Sequence, residues 1–161
     1  MRYIHIKFII ILIIVLFNSA HSEESLTVGS KTLTAAMAQR VAIEALNTCS
    51  KLGYQAAAAV VGRNGNLIAF IRDPLSGPHT IDISEKKAFT SASTRVASGS
   101  LVDMQHLNFS DKLITIKGGL PISVAGYVYG GVGVSGATPE DDEVCAKAGI
   151  DAIKEDIEFQ Q

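Results

Sequence analysis

The chain has 161 residues, 47% of them hydrophobic, 19% charged and only 6% aromatic, with no tryptophan and a formal net charge of −2. That length suits one domain with a proper hydrophobic core. The weak acidic balance, free of basic blocks, excludes the electrostatic footprint of a nucleic-acid binder and the polybasic signal of a membrane-surface protein.

The apolar content is concentrated at the start. Arg2, His5 and Lys7 precede an unbroken apolar run from Phe8 to Phe17, and Ala20-His21-Ser22 follows it. A basic start, a short apolar core and small residues two apart form the pattern of a secretory signal peptide over residues 1–22. The run is shorter than the roughly 20 residues of a membrane span, and no cysteine follows it to carry a lipid. The expectation is an exported protein, periplasmic or secreted, whose mature chain starts at Glu23 and is not inserted in the membrane. Residues 23–161 then form one domain.

From Thr34 the spacing of Ala38, Val41, Ala42, Ala45, Cys49 and Leu52 predicts an amphipathic helix, ended by Gly53. Gln55 to Gly62 reads as a buried strand and Leu67 to Arg72 as its partner, because Asn64-Gly65 between them is a strong hairpin signal. Ala56 to Ala59 would favour helix by propensity, so the strand assignment rests on the hairpin. Asp73 to Pro78 is a loop. A second helix is expected from about Thr80 to Val96, burying Ile83, Ala88 and Phe89, and a short one over Ser100 to His106. Leu113 to Ile116 reads as a strand broken by Gly118-Gly119. Pro121 to Val124 and Tyr127 to Ser135 form a second hairpin turning at Ala125-Gly126. Five glycines between Gly126 and Gly136 imply that another surface approaches this strand closely. Thr138-Pro139-Glu140-Asp141 starts the last helix, with Val144, Cys145, Ala148, Ala152 and Ile153 as its apolar face. The fold class is α+β, a mostly antiparallel sheet covered by helices.

No nucleophile elbow, zinc-protease motif, P-loop or dinucleotide fingerprint is present. Gly131 to Gly136 resembles a phosphate loop only superficially, for it lacks the lysine and its alternating valines suit a strand. His79 and His106 remain after the signal segment, too few for a structural zinc site without cysteine. His79 follows Gly77-Pro78; it reads either as an exposed loop histidine or as an imidazole held rigidly enough to ligate an iron. Lys87 reads either as a solvated lysine beside Glu85 and Lys86 or as a site residue. Asp141, Asp142 and Glu143 complement a helix start. Cys49 and Cys145 lie on the apolar faces of the first and last helices, and in an exported chain their pairing as a disulfide is expected; two buried thiols are the alternative.

Thr34 to Arg40, Ala57 to Gly62 with Asn64-Gly65, Lys87-Ala88-Phe89-Thr90, Gly118-Gly119-Leu120-Pro121-Ile122, and Gly131 to Gly136 running through Asp142-Glu143 to Ala146 together resemble the GlcG/HbpS-like haem-binding family. The resemblance spans about residues 32–155. It implies a profilin-like fold, commonly oligomeric, with haem or a related tetrapyrrole bound outside the membrane. Other members accompany glycolate metabolism, and a similar domain ends some corrinoid adenosyltransferases. The family motifs fall on Lys87, Gly118, Gly119, Pro121, Ser135, Gly136, Asp142 and Glu143, as fold and pocket residues. No iron ligand and no catalytic residue transfers by motif, so His79 is chosen on its chemistry as the residue that would hold the haem iron. An exported haem binder, carrier or sensor is the leading function. The alternatives are an enzyme of haem degradation or small hydroxy-acid metabolism, and an oligomeric structural module. The low aromatic content points to a shallow or intersubunit haem site.

Overall fold

The computed structural model describes residues 25–159, so the expected signal segment lies outside the described residues. Residues 25–30 carry no regular structure; a separate unit begins at Lys31. Its elements are α1 (Ala35–Lys51), β1 (Ala57–Gly62), β2 (Leu67–Arg72), α2 (His79–Thr94), β3 (Gly119–Val124), β4 (Tyr127–Ser135) and α3 (Pro139–Glu158). The four strands form one antiparallel sheet in the order β2-β1-β4-β3. The fold class is α+β, as expected.

α1 and α3 start where a side chain satisfies one of the helix's orphan donors, whereas α2 follows Pro78 with no side-chain cap. Thr34 accepts from Met37 N at 3.3 Å before α1, and Thr138 accepts from Asp141 N at 3.2 Å before α3, with Pro139 next. α1 and α3 lie side by side on one face of the sheet, and α2 covers the other. Strand alternation sorts the core accordingly. Ala58 and Val60 of β1 join Val41, Ala45, Val132, Val134 and Ile153 in the larger cluster, while Ala59 and Val61 meet Ala88 and Ala92 of α2.

Cys49 of α1 and Cys145 of α3 are both buried and joined in a disulfide, with Cα atoms 5.5 Å apart across a sequence separation of 96. The expected pairing of the only two cysteines is therefore present.

The glycines of β4 have the predicted reason. A Cβ on Gly131 would strike Ala88 O, and one on Gly133 would strike Ser84 O and Ala88 N. The backbone of α2 thus rests on the strand backbone, a distance only glycine permits.

Several expectations are corrected. The helix expected over Ser100 to His106 is instead two 3-10 turns, Ser98–Leu101 and Gln105–Phe109. Leu113 to Ile116 is not a strand, because side chains from elsewhere take its backbone groups. Ile114 N donates to Thr90 Oγ1 at 2.9 Å, and Ile116 O accepts from Ser98 Oγ at 2.5 Å. β3 starts at Gly119, two residues early, so this glycine belongs to the strand. On α3 the buried stripe is Cys145, Ala146, Gly149, Ile153 and Ile157, and Val144 faces solvent. On α2, Ala88 is buried but Ile83 and Phe89 only half so, and on α1 Leu52 is the exposed C-cap.

Candidate functional site

The close seating of α2 decides what becomes of Lys87. Its side chain leaves the sheet-facing side of the helix over Gly133, where a Cβ would come within 2.8 Å of Lys87 Cβ. It runs to the end of β4, and Nζ donates to Val134 O at 2.9 Å and to Asp142 Oδ2 at 2.7 Å. Both ionic side chains are almost wholly buried, at 2% and 3% exposed. Asp142 stands in the first turn of α3, where the helix dipole favours a negative charge. Its second oxygen, Oδ1, accepts from Ala137 N at 3.0 Å. Burial pushes this carboxyl above the usual carboxylate range, and the Lys87 ammonium opposes the rise.

The reading of Lys87 as a solvated lysine is thus overturned, and Asp142 does more than complement a dipole. The pair fastens α2, β4 and α3 at one point. Gly118 closes it from above: with φ +109, a Cβ there would lie 2.7 Å from Lys87 Nζ and 2.6 Å from Asp142 Cβ. Gly119 follows, its N–H donating to Ser98 Oγ at 3.0 Å. Gly136, with φ +136, has Gln55 O where its Cβ would be, at 2.5 Å. Ser135 is buried beside it. Beyond the pair, Asp141 Oδ2 accepts from Tyr54 Oη at 2.7 Å and Thr138 Oγ1 at 2.9 Å. These bonds hold the Asp141 carboxyl below its ordinary range, and the Tyr54 hydroxyl is pushed above its own.

The motif residues therefore divide. Lys87, Gly118, Gly119, Ser135, Gly136 and Asp142 gather around one buried knot. Pro121 stands apart, half-buried on edge strand β3, and Glu143 is half-buried on α3. His79 is two helical turns before Lys87, about 12 Å along the axis. It is the first residue of α2 rather than a loop residue, and it is exposed. Its imidazole rests over Gly77, where a Cβ would lie 2.7 Å from Nδ1. His106 is exposed on the second 3-10 turn. The Lys87–Asp142 pairing escaped sequence reasoning, although the small polar residues Thr80, Ser84 and Ser91 in register with Lys87 marked a helix face made for close packing.

Two clefts of this unit bear on ligand binding. One, of about 240 Å³, lies between the β1–β2 hairpin and α2 and is lined by Leu67, Glu85, Phe89, Asp111 and Lys112 among others. The other, of about 290 Å³, lies between residues 31–34, Met37, Tyr129 and Ile157. Neither includes His79. Among the described residues, no three His, Cys, Asp or Glu side chains gather to hold a metal ion. No described helix is long and apolar enough to cross a membrane.

Comparison with known proteins agrees with this architecture. The family model described as "Haem degrading protein HbpS-like" matches residues 33–151. An uncharacterized 15.0 kDa protein from the dhaT–dhaS intergenic region of Citrobacter freundii is 30% identical over 143 residues, which is 82% of this chain and 98% of that one. A crystal structure of a double mutant of Streptomyces reticuli HbpS is 29% identical, with a TM-score of 0.76, over 83% of this chain and 95% of that one. The crystal structure of a PduOC:haem complex is 23% identical, with a TM-score of 0.70, over 76% and 95% of the two chains, a likeness of fold.

Proposed function

The chain belongs to the HbpS-like family, and from that premise we propose that it is an exported haem-binding protein, a carrier or sensor without required turnover. The family match over residues 33–151 is the observation that carries the reading. The PduOC protein solved with haem shares the fold and adds support. Export rests on the N-terminal pattern from Arg2 to Ser22.

His79 supplies a donor of the right chemistry, since an exposed imidazole on a helix start is a competent iron ligand. Enclosure is a different matter. Both clefts fall below the roughly 300–1,000 Å³ of enclosed small-molecule pockets. The porphyrin would therefore lie against the surface near the start of α2, or between copies of the chain. Lys87, Gly118, Gly119, Ser135 and Gly136 serve this reading by fixing α2 on the sheet, with the Lys87 ammonium taken up by Val134 O and Asp142.

Hemin titration of the processed protein tests the proposal. A Soret band that shifts or bleaches in His79→Ala and not in His106→Ala supports it. No Soret change on mixing refutes haem binding, and an unchanged spectrum in His79→Ala removes that residue as the ligand. The family description favours a second reading, haem breakdown. Loss of the Soret band with a reductant and oxygen, together with a cleaved tetrapyrrole, would favour that reading over the first.

A further inference from the structure

Asn64-Gly65 is the single Asn-Gly pair in the sequence, and it stands at the tip of the β1–β2 hairpin. Two backbone bonds close the turn: Gly62 N donates to Asn66 O and Gly65 N donates to Gly62 O, each at 2.9 Å. Asn64 is exposed, and its Oδ1 accepts from Asn66 N at 3.2 Å. Gly65 has φ +81 and lies against the Phe89 ring, where a Cβ would come within 2.9 Å of Cε2. The same glycine lines the 240 Å³ cleft together with Asp82, Glu85, Phe89 and Asp111. The tip thus joins a chemically labile amide to a packed and charged cleft.

Asparagine loses its amide when the next residue's backbone nitrogen attacks the side-chain carbonyl carbon, and a following glycine leaves that nitrogen unshielded. The other described asparagines lack this arrangement. Asn47 lies inside α1, where the Thr48 nitrogen is held in the helix. Asn66 and Asn108 are followed by the bulky Leu67 and Phe109. At Asn64 two features favour the attack. Asn66 N–H already sits on Oδ1, the oxygen that takes up negative charge during addition, and Gly65 presents no Cβ. One feature opposes it, because Gly65 N–H must first release Gly62 O. A single exposed turn bond opens locally, far more readily than the whole fold. Opening therefore delays the attack without preventing it.

We propose that Asn64 is a site of spontaneous deamidation in the folded protein, with water as the only co-reactant. When the turn bond opens, Gly65 N loses its proton to hydroxide and bonds to Asn64 Cγ. The Cγ–Nδ2 bond breaks, and the nitrogen leaves as ammonia with a proton taken from water. Water then adds to either carbonyl of the cyclic imide and opens it to aspartate or isoaspartate. In sum an amide and water become a carboxylate and ammonium, and nothing is oxidised or reduced. Either product adds a negative charge at the hairpin tip, beside a cleft that already carries Asp82, Glu85 and Asp111. The isoaspartyl form also threads the side-chain methylene into the main chain ahead of Gly65. That insertion displaces Gly65 from the Phe89 ring and loosens the bonds that close the turn. Neither haem nor export enters this chemistry.

The processed full chain is held in buffer for weeks at neutral and at mildly alkaline pH, beside a portion unfolded in urea. Trypsin then releases the peptide Asn64–Arg72, whose mass and fragmentation are compared with an unincubated control. The expected result is conversion at Asn64 alone, with isoaspartate accompanying aspartate. It should accelerate with hydroxide concentration, run slower than in urea, and vanish in Asn64→Ser. Hydrogen exchange on the separated isoaspartyl form should show the Gly62 and Gly65 amides losing protection. A folded chain still unconverted when the unfolded one has fully converted overturns the proposal. Equal conversion at Asn66 or Asn108, or aspartate formed without isoaspartate, overturns it as well. Unchanged protection of the Gly62 and Gly65 amides in the isoaspartyl form would refute the effect on the turn.

Discussion

Gly118 stands so close over Lys87 that a Cβ on it would lie 2.7 Å from the ammonium nitrogen. Its φ of +109 is also one that L side chains rarely adopt. Gly118→Ala should therefore cost about 2–4 kcal/mol, combining backbone strain with displacement of the buried pair. Urea denaturation of the variant beside the parent measures this. A change below about 0.5 kcal/mol would place the position among ordinary surface sites.

The Lys87–Asp142 pair should behave as a unit. Lys87→Met alone or Asp142→Leu alone leaves a buried group without its partner, at about 3–5 kcal/mol. The double variant Lys87→Met/Asp142→Leu should cost clearly less than the two single changes added together. Additive losses across that cycle would show that the two residues act separately.

Acid should weaken the fold partly through the start of α3. The Asp141 carboxyl lies below its ordinary value because Tyr54 and Thr138 donate to it. Its unfolded form thus binds protons more readily than its folded form. Stability from this residue is present above the ordinary carboxylate value and is lost as pH falls through the lower folded value. Tyr54→Phe removes the first of those donors, so its stability should fall less steeply on acidification. Denaturation midpoints between about pH 6 and pH 2 test the difference in slope.

The seating of His79 over Gly77 can be probed directly. Gly77→Val would put side-chain atoms where the imidazole now lies. If His79 ligates the haem iron, this variant should shift the Soret band with little loss of stability, since the loop is partly exposed. A spectrum identical to the parent would detach the ring position from haem binding.

How much of this was legible beforehand depended on whether the signal was local. The Thr138-Pro139 helix start and the Asn64-Gly65 hairpin are written in adjacent residues, and both stand where expected. The alanines of β1 required context, because their own propensity is helical. The glycines of β4 announced a close neighbour without saying which, and only the packing identifies it as α2. Leu113 to Ile116 misled because its apolar alternation suits a strand, while Thr90 and Ser98, distant in sequence, capture its backbone. Lys87 misled for the opposite reason. A lysine between charged neighbours reads as solvated, and its carboxylate lies 55 residues away.

Oxidation of Cys49 and Cys145 should hold in the folded protein. Denatured, unreduced protein recovered from outside the cytoplasm is expected to show no free thiol. Replacing both cysteines with serine should cost about 2–5 kcal/mol. Two titratable thiols per chain would contradict the bond.

That bond also determines how the molecule responds to being cut. Cys49 lies near the end of α1 and Cys145 near the start of α3, so every strand and the whole of α2 fall inside one covalent ring. The exposed connections, such as the Asp73–Pro78 loop and the stretch between α2 and β3, are also inside it. A protease that nicks any of them opens the ring without releasing a fragment. In an extracellular setting, where proteases are common and disulfides persist, a once-cut chain would remain a single covalent molecule.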